Sequence, residues 1–445
     1  MTQHPQHTAW PRPSVVSGSS WTFPHPEVTR FDNGLTLLAY HLPGQYILSC
    51  DLVLETPLNA EQASQEGVAT IAARALNEGS AGHPGSALAQ ALERVGAQFD
   101  AVAGPSTTQC VLDAPATSLR EALTLFAEAI VEPDFAPDDI ARVVANRLAE
   151  IDQKQSHGSY VASRALREAL VDHDSRFARP VGGTATTVAT ITSDHVRAYH
   201  RRMYHPYDAT IVIAGDLTDV RVGDIVDHVF GQWRPAQATV EPRAATPGLG
   251  ARQVIDRSGS VQADIRFGWF GVDQKDPRWT DLQVALTIMG GAFTSRLNHA
   301  LREERGYTYG ISMGARPFRV GGLIELATST RTDVAGAAID EAQEILATRE
   351  PFTQTEVTRA VDYLTYSAPL GYDTAEAVAA QGAGLVAGRL PLDHITSTLR
   401  ALRQVTADTA MAAYRSLVDV DASSIIVVGD ADSLDGVLPQ RGSTH

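Results

Sequence analysis

Apolar positions change period repeatedly along this chain, and each change marks an element. From Val28 to Glu55 short apolar runs are broken at Asn33-Gly34 and Pro43-Gly44, two turn dipeptides, so the segment reads as successive strands. In the next stretch Val68, Ile71, Ala72, Ala75 and Leu76 share one face at helical spacing, which predicts an amphipathic helix over 67–80. Further helices are predicted over 86–95, 117–130, 138–155 and 192–203, with strands over 98–110 and 210–214. Residues 222–233 close this half.

The second half repeats the order. Strand patterns cover 261–270, 307–313 and 323–329; helical patterns cover 280–288, 294–305, 333–348 and 355–365. Each half also ends alike: a helix with Tyr199 leads into ATIVIAGDL, and a helix with Tyr414 into SSIIVVGDA. Two apolar strands that both leave through Gly-Asp indicate a duplicated α/β domain. Between the halves, residues 234–250 contain three prolines and no periodicity, the signature of a linker. The expected organisation is a disordered polar tail over 1–20, a first domain over 21–233, the linker, a second domain over 251–438 and a short tail over 439–445.

Composition narrows the functional classes. The chain has 445 residues, 44% hydrophobic and 20% charged, as soluble globular proteins do. No apolar window is long enough to span a membrane, and the N-terminus lacks the basic and apolar regions of a secretory signal. A net charge of −16 argues against nucleic-acid binding and favours basic peptide partners. Only two cysteines occur, Cys50 and Cys110, so a disulfide framework is not expected and the reducing cytoplasm is.

The stretch from Gly290 to Met313, GGAFTSRLNHALREERGYTYGISM, carries the most specific signal. Phe293, Leu297, Ala300 and Leu301 form a helical stripe starting near Thr294 or Ser295, and Gly306 stops it. Tyr307, Tyr309, Ile311 and Met313 then alternate as a strand with one buried face. Arg302 and Tyr309 lie on either side of the turn, where a guanidinium and a phenol can both donate hydrogen bonds to a peptide carbonyl. Each alone also reads as an ordinary helix-end charge or strand aromatic.

The run SRLNHALREERGYTYG resembles the second-half signature of the insulinase/pitrilysin-type metallopeptidases, which include mitochondrial-processing-peptidase-like bacterial proteins. The resemblance extends from about Trp21 to Leu438. It implies an α+β chain of two homologous α/β sandwich domains, each a mostly antiparallel sheet covered by helices. It also implies that Arg302 and Tyr309 bind substrate beside a zinc site.

In that family the first half carries H-x-x-E-H on a helix, with a downstream carboxylate as third ligand. Histidines at i and i+4 share a helical face and converge on one ion, leaving an open position for water. Here Thr70, Ala73 and Arg74 stand at the His, Glu and His positions, on a face expected to lie opposite the apolar stripe. Glu150, 76 positions after Arg74, falls near the place of the third ligand. Either Arg74 and Glu150 pair as ions where the metal would sit, or Glu150 is a solvated helix residue. No metal is expected on this chain.

No other constellation replaces the motif. His195, His200 and His205 are spaced about 140° apart around a helix and do not converge. No GxSxG, P-loop or GxGxxG motif occurs. GAGLVAG, from Gly382 to Gly388, lacks the lysine and preceding strand of a phosphate loop and reads as a helix interruption or loop.

The resemblance therefore implies a non-zinc, substrate-binding subunit of a heterodimeric zinc metallopeptidase. It would be inactive alone, contribute to cleavage beside an HxxEH-bearing partner that holds the zinc, and take unfolded peptides as an added strand. The alternatives are a catalytically silent structural subunit of a larger assembly and unrelated chemistry on the same fold.

Overall fold

A computed structural model describes residues 21–234, 240–348 and 350–438. The expected tails at 1–20 and 439–445 and part of the linker lie outside the described residues. The chain forms two mixed sheets. The first contains β1 (Glu27–Arg30), β2 (Thr36–His41), β3 (Ile47–Glu55), β4 (Gln98–Ala103), β5 (Thr107–Pro115) and β6 (Thr210–Gly215), in the order β1-β2-β6-β3-β5-β4. The second contains β7 (Arg252–Asp256), β8 (Gln262–Gly271), β9 (Thr308–Pro317), β10 (Gly322–Arg331) and β11 (Ser424–Gly429), in the order β7-β11-β8-β10-β9. Strand for strand the second sheet repeats the first without β1. In each, the strand after the terminal helix is inserted parallel to one neighbour and antiparallel to the other.

Those inserted strands are apolar throughout because both their faces are covered. Ile211 and Ile213 of β6 face the main first-half core, whereas Val212 and Ala214 face a second cluster. That second face is closed by the Ala375–Gly388 helix, which comes from the other half and packs Val378, Ala379 and Ala383 against Tyr40, Val53 and Val212. Reciprocally, the Gly158–Leu170 helix crosses to the second sheet and packs Ala162, Leu166 and Leu170 against Leu323, Ile426 and Val428. Each half thus lends the other one helix.

The crossing explains two differences from the sequence reading. GAGLVAG is a continuous helix, and its glycine has a packing cause: a Cβ on Gly382 would lie 2.9 Å from Val212 and 3.0 Å from Tyr40. The sequence reading also assigns no element to Gly158–Leu170, although Ala162, Leu166 and Leu170 recur at i, i+4 and i+8. A third difference is local. The expected strand over 98–110 is a hairpin, β4 and β5, turning where the Gly104 N–H donates to the Thr107 carbonyl at 2.7 Å.

The halves are also joined by charge. Arg319, in the β9–β10 turn, donates to both Glu55 carboxylate oxygens at 2.7 and 2.9 Å and to the Ala387 carbonyl at 2.8 Å. The side chains of this ion pair are only 8% and 11% exposed.

Candidate functional site

The helix at the expected zinc position, Val68–Ala75, is held at its start. One Glu61 oxygen accepts the backbone N–H groups of Gly67 and Ala69, each at 3.0 Å, satisfying first-turn donors that have no partner within a helix. Arg176 grips the other oxygen at 2.8 and 3.0 Å. Gly67 sits at φ 102°, with the Gly182 backbone 3.0 Å from where a Cβ would be, so only glycine enters the helix this way.

The three motif positions do not share an open face. Thr70 and Arg74 line a cavity between the halves, but Ala73 is completely buried in the first-half core. The helix packs against the helices Pro137–Gln155 and Ser193–Met203 as well as the sheet, which widens its buried stripe beyond the apolar positions read from the sequence.

Arg74 and Glu150 form a bidentate pair: Nη1 donates to Oε1 at 2.7 Å and Nη2 to Oε2 at 3.0 Å. Arg147, one turn before Glu150, donates to Oε2 at 3.1 Å and, through Nε, to the Gly182 carbonyl at 3.0 Å. Hydrogen bonds from Arg74, then from Arg147, hold the Glu150 carboxyl below the usual glutamate range. Zinc does not fit this set. Arg74 has no lone pair to give, Thr70 replaces one imidazole, and both Glu150 oxygens are committed to guanidinium groups. Among the described residues no group of three His, Cys, Asp or Glu side chains is placed to hold a metal ion.

The cavity in front of this pair has a volume of about 440 Å³, the size of a small-ligand site. Ala101, Val102 and Ala103 of β4 form part of its wall, and β4 is an edge strand whose outer side pairs with no other strand among the described residues. The corresponding edge of the second sheet is engaged: Asn298 donates to the Ile311 carbonyl of β9 at 2.8 Å and accepts its N–H at 3.2 Å.

Arg302 and Tyr309 lie outside the cavity wall. Arg302 stacks on Phe293, its guanidinium carbon 3.9 Å from the ring centroid, and also approaches Glu303 at 3.6 Å. The helix that carries Arg302 is wound more widely than expected over Asn298–Glu304, with the Arg305 N–H donating to the Ala300 carbonyl five residues back. Tyr309 is 96% exposed rather than on the buried face of the strand. The reason is a bulge: Thr308 pairs with Thr330 and Ile311 with Thr328, so β9 has one more residue than β10 there, and the alternation slips.

Residues 41–181 match the family model for insulinase (peptidase family M16), and residues 190–364 match that for the peptidase M16 inactive domain. The chain belongs to the M16 peptidase family. It is 24% identical over 415 residues to an uncharacterized zinc protease of Mycobacterium tuberculosis, covering 88% of this chain and 91% of that one. It is 23% identical over 316 residues to a non-peptidase homolog of Helicobacter pylori, covering 70% and 72%. The crystal structure of a peptidase M16 inactive domain from Pseudomonas fluorescens superposes with a TM-score of 0.84 at 24% identity, covering 91% of this chain and 98% of that one. The two-sheet architecture is thus the M16 fold.

What the sequence reading did not find is the cationic lining of this M16 chain's cavity: Arg147, Lys154, Arg164, Arg167 and Arg316 beside Arg74. The net charge of −16 does not carry over to this surface. Arg164 and Arg167 are one turn apart on the exchanged helix, a signal visible only once that helix is assigned.

Proposed function

We propose that this chain is the non-zinc, substrate-binding subunit of a two-chain zinc metallopeptidase that acts on unfolded peptides or short protein segments. The observation that supports the reading is the Arg74–Glu150 pair, at the positions the resemblance gives to the metal ligands, beside the edge strand β4. An extended peptide can add to β4 through main-chain hydrogen bonds. Zinc and its water would belong to an HxxEH-bearing partner. Half-buried Arg302 and exposed Tyr309, both outside this chain's own cavity, are then available to a substrate lying across the two subunits, where they would orient and polarise a carbonyl.

The same exposure supports a second reading, a catalytically silent structural subunit. In it Arg302 simply stacks on Phe293 and Tyr309 is an interface aromatic. The experiment combines the purified chain with an HxxEH-bearing chain encoded beside it and follows cleavage of an unstructured peptide. Cleavage only by the mixture, with kcat/KM reduced at least about tenfold by Arg302→Ala or Tyr309→Phe, is the expected result. A stable complex whose cleavage ignores both substitutions favours the structural reading. Cleavage by the lone chain overturns both.

A further inference from the structure

The charge of the cavity conflicts with the charge of the chain. Arg74, Arg147, Lys154, Arg164, Arg167 and Arg316 line it, with the Glu325 carboxylate beside them in the wall. Several of these cations are already matched. Arg74 and Arg147 share Glu150, Arg164 pairs with Glu168 at 2.8 Å, and Arg316 pairs with Glu325 at 3.2 Å. Glu325 is itself divided, because buried Arg266 approaches its other oxygen at 3.4 Å.

Two cations in the wall lie against a ring and have no ion-pair partner among the described residues. The Lys154 ammonium lies 5.9 Å from the Tyr160 ring centroid, and the Arg167 guanidinium lies 6.0 Å from that of Phe318. Burial pushes the Arg167 pKa down and Arg316 pushes it further, with Glu325 opposing. A guanidinium held in a half-dry wall with no carboxylate at ion-pair distance is a ready receptor for one, which it can bind in two-pronged fashion.

We propose that the cavity selects acidic segments: an extended peptide added to the β4 edge would place aspartate or glutamate carboxylates against Arg167 and Lys154. The inference rests on the peptide-holding reading above and supplies its specificity. β4 brings the main chain to the cavity through Ala101, Val102 and Ala103, while the exchanged Gly158–Leu170 helix supplies Arg167 and the preceding helix, Pro137–Gln155, supplies Lys154 to the same wall.

The test is fluorescence anisotropy with the full chain and two labelled ten-residue unstructured peptides, one with three glutamates and one with glutamines in their place. The acidic peptide is expected to bind at least tenfold more tightly, with the advantage shrinking as salt rises. Arg167→Gln and Lys154→Gln should each weaken it several-fold and leave the glutamine peptide unchanged. Lys154 is exposed, so that variant keeps the test decisive if Arg167→Gln fails to fold. Equal affinity for the two peptides overturns the charge selection and leaves the peptide-holding reading standing. Displacement by free glutamate or inorganic phosphate at the peptide's own concentration overturns the peptide part, leaving a small-anion site. Binding of neither peptide overturns the proposal, while the two-chain cleavage assay decides the subunit role independently.

Discussion

Arg74→Ala tests the idea that an ion pair stands where the family places its metal. The substitution removes two of the three side-chain hydrogen bonds that Glu150 receives and leaves the one from Arg147. Two charges about 4 Å apart attract by about 1 kcal/mol in water and about 4 kcal/mol near a protein surface. Both side chains are 37% exposed, and holding two long side chains in one geometry costs entropy, so the net contribution is about 0.5–1 kcal/mol. Arg147→Ala should cost more, about 2 kcal/mol, because its buried guanidinium also satisfies the Gly182 carbonyl. Urea denaturation at pH 7 measures both. The sign with pH is fixed by Glu150: a carboxyl held low in the folded chain stabilises fully above the ordinary glutamate pKa and loses that contribution as pH falls toward the folded value.

Metal content is the sharper readout of the same perturbation. Arg74→Ala leaves one carboxylate and no imidazole, and should take up no zinc. Thr70→His with Arg74→His restores two imidazoles at i and i+4 beside Glu150 and should bind one zinc per chain. That variant should still cleave nothing, since buried Ala73 supplies no general base. Stoichiometric zinc in the unmodified chain would refute the reasoning. So would a folded double-histidine variant that binds none, or a larger loss of stability in Arg74→Ala than in Arg147→Ala.

Other perturbations follow from the fold. Asp51, buried in β3, has its pKa pushed up to about 7 by burial, then by Asp113 and Glu376, so its ionisation opposes folding. Stability should fall as pH rises from the ordinary aspartate value to about 7, by up to about 4 kcal/mol, and Asp51→Asn should flatten that slope in urea melts at pH 5.5 and 8. Arg319→Ala leaves Glu55 buried with only Arg389 near, at 3.6 Å, and should cost about 3 kcal/mol in the same assay; a loss below 1 kcal/mol would show that the pair does not tie the halves. Gly382→Ala forces a methyl onto Val212 and Tyr40 and should cost about 1–3 kcal/mol, read as a lowered thermal midpoint, whereas the same change at Gly384, where a Cβ would meet the Gln381 side chain at an ordinary 3.8 Å, should cost little.

The repeat of strand order was legible because ATIVIAG and SSIIVVG are each buried on both faces, and an unbroken apolar run is what such burial requires. The departure from H-x-x-E-H at Thr70, Ala73 and Arg74 was legible because that motif demands particular side chains at particular spacing. What escaped was set by tertiary contact. Ala73 looks open on a helical wheel and is buried by neighbouring helices that no local pattern reveals. Tyr309 belongs to the buried face only if the strand is regular, and one extra residue in β9 turns it outward. GAGLVAG reads as a helix interruption or loop because its glycines are poor helix formers, yet the close approach of Tyr40 and Val212 makes Gly382 the residue that fits the helix found there.

The helix exchange explains how one chain can be acidic overall and present a cationic wall. Gly158–Leu170 has to bury Ala162, Leu166 and Leu170 on the second sheet, which fixes its rotation and leaves Arg164 and Arg167 turned to the space between the halves. Arg74 reaches that space from the first half because Glu61 and Gly67 fix the start of its helix. The Arg319–Glu55 pair ties the β9–β10 turn of the second half to the end of β3 in the first, and Arg316 lies three residues before Arg319 at the end of β9. The spacing of the cations is therefore set by sheet packing and a buried ion pair rather than by loops. A ligand meeting this wall pays little to organise it, which is the condition under which charge complementarity becomes selectivity.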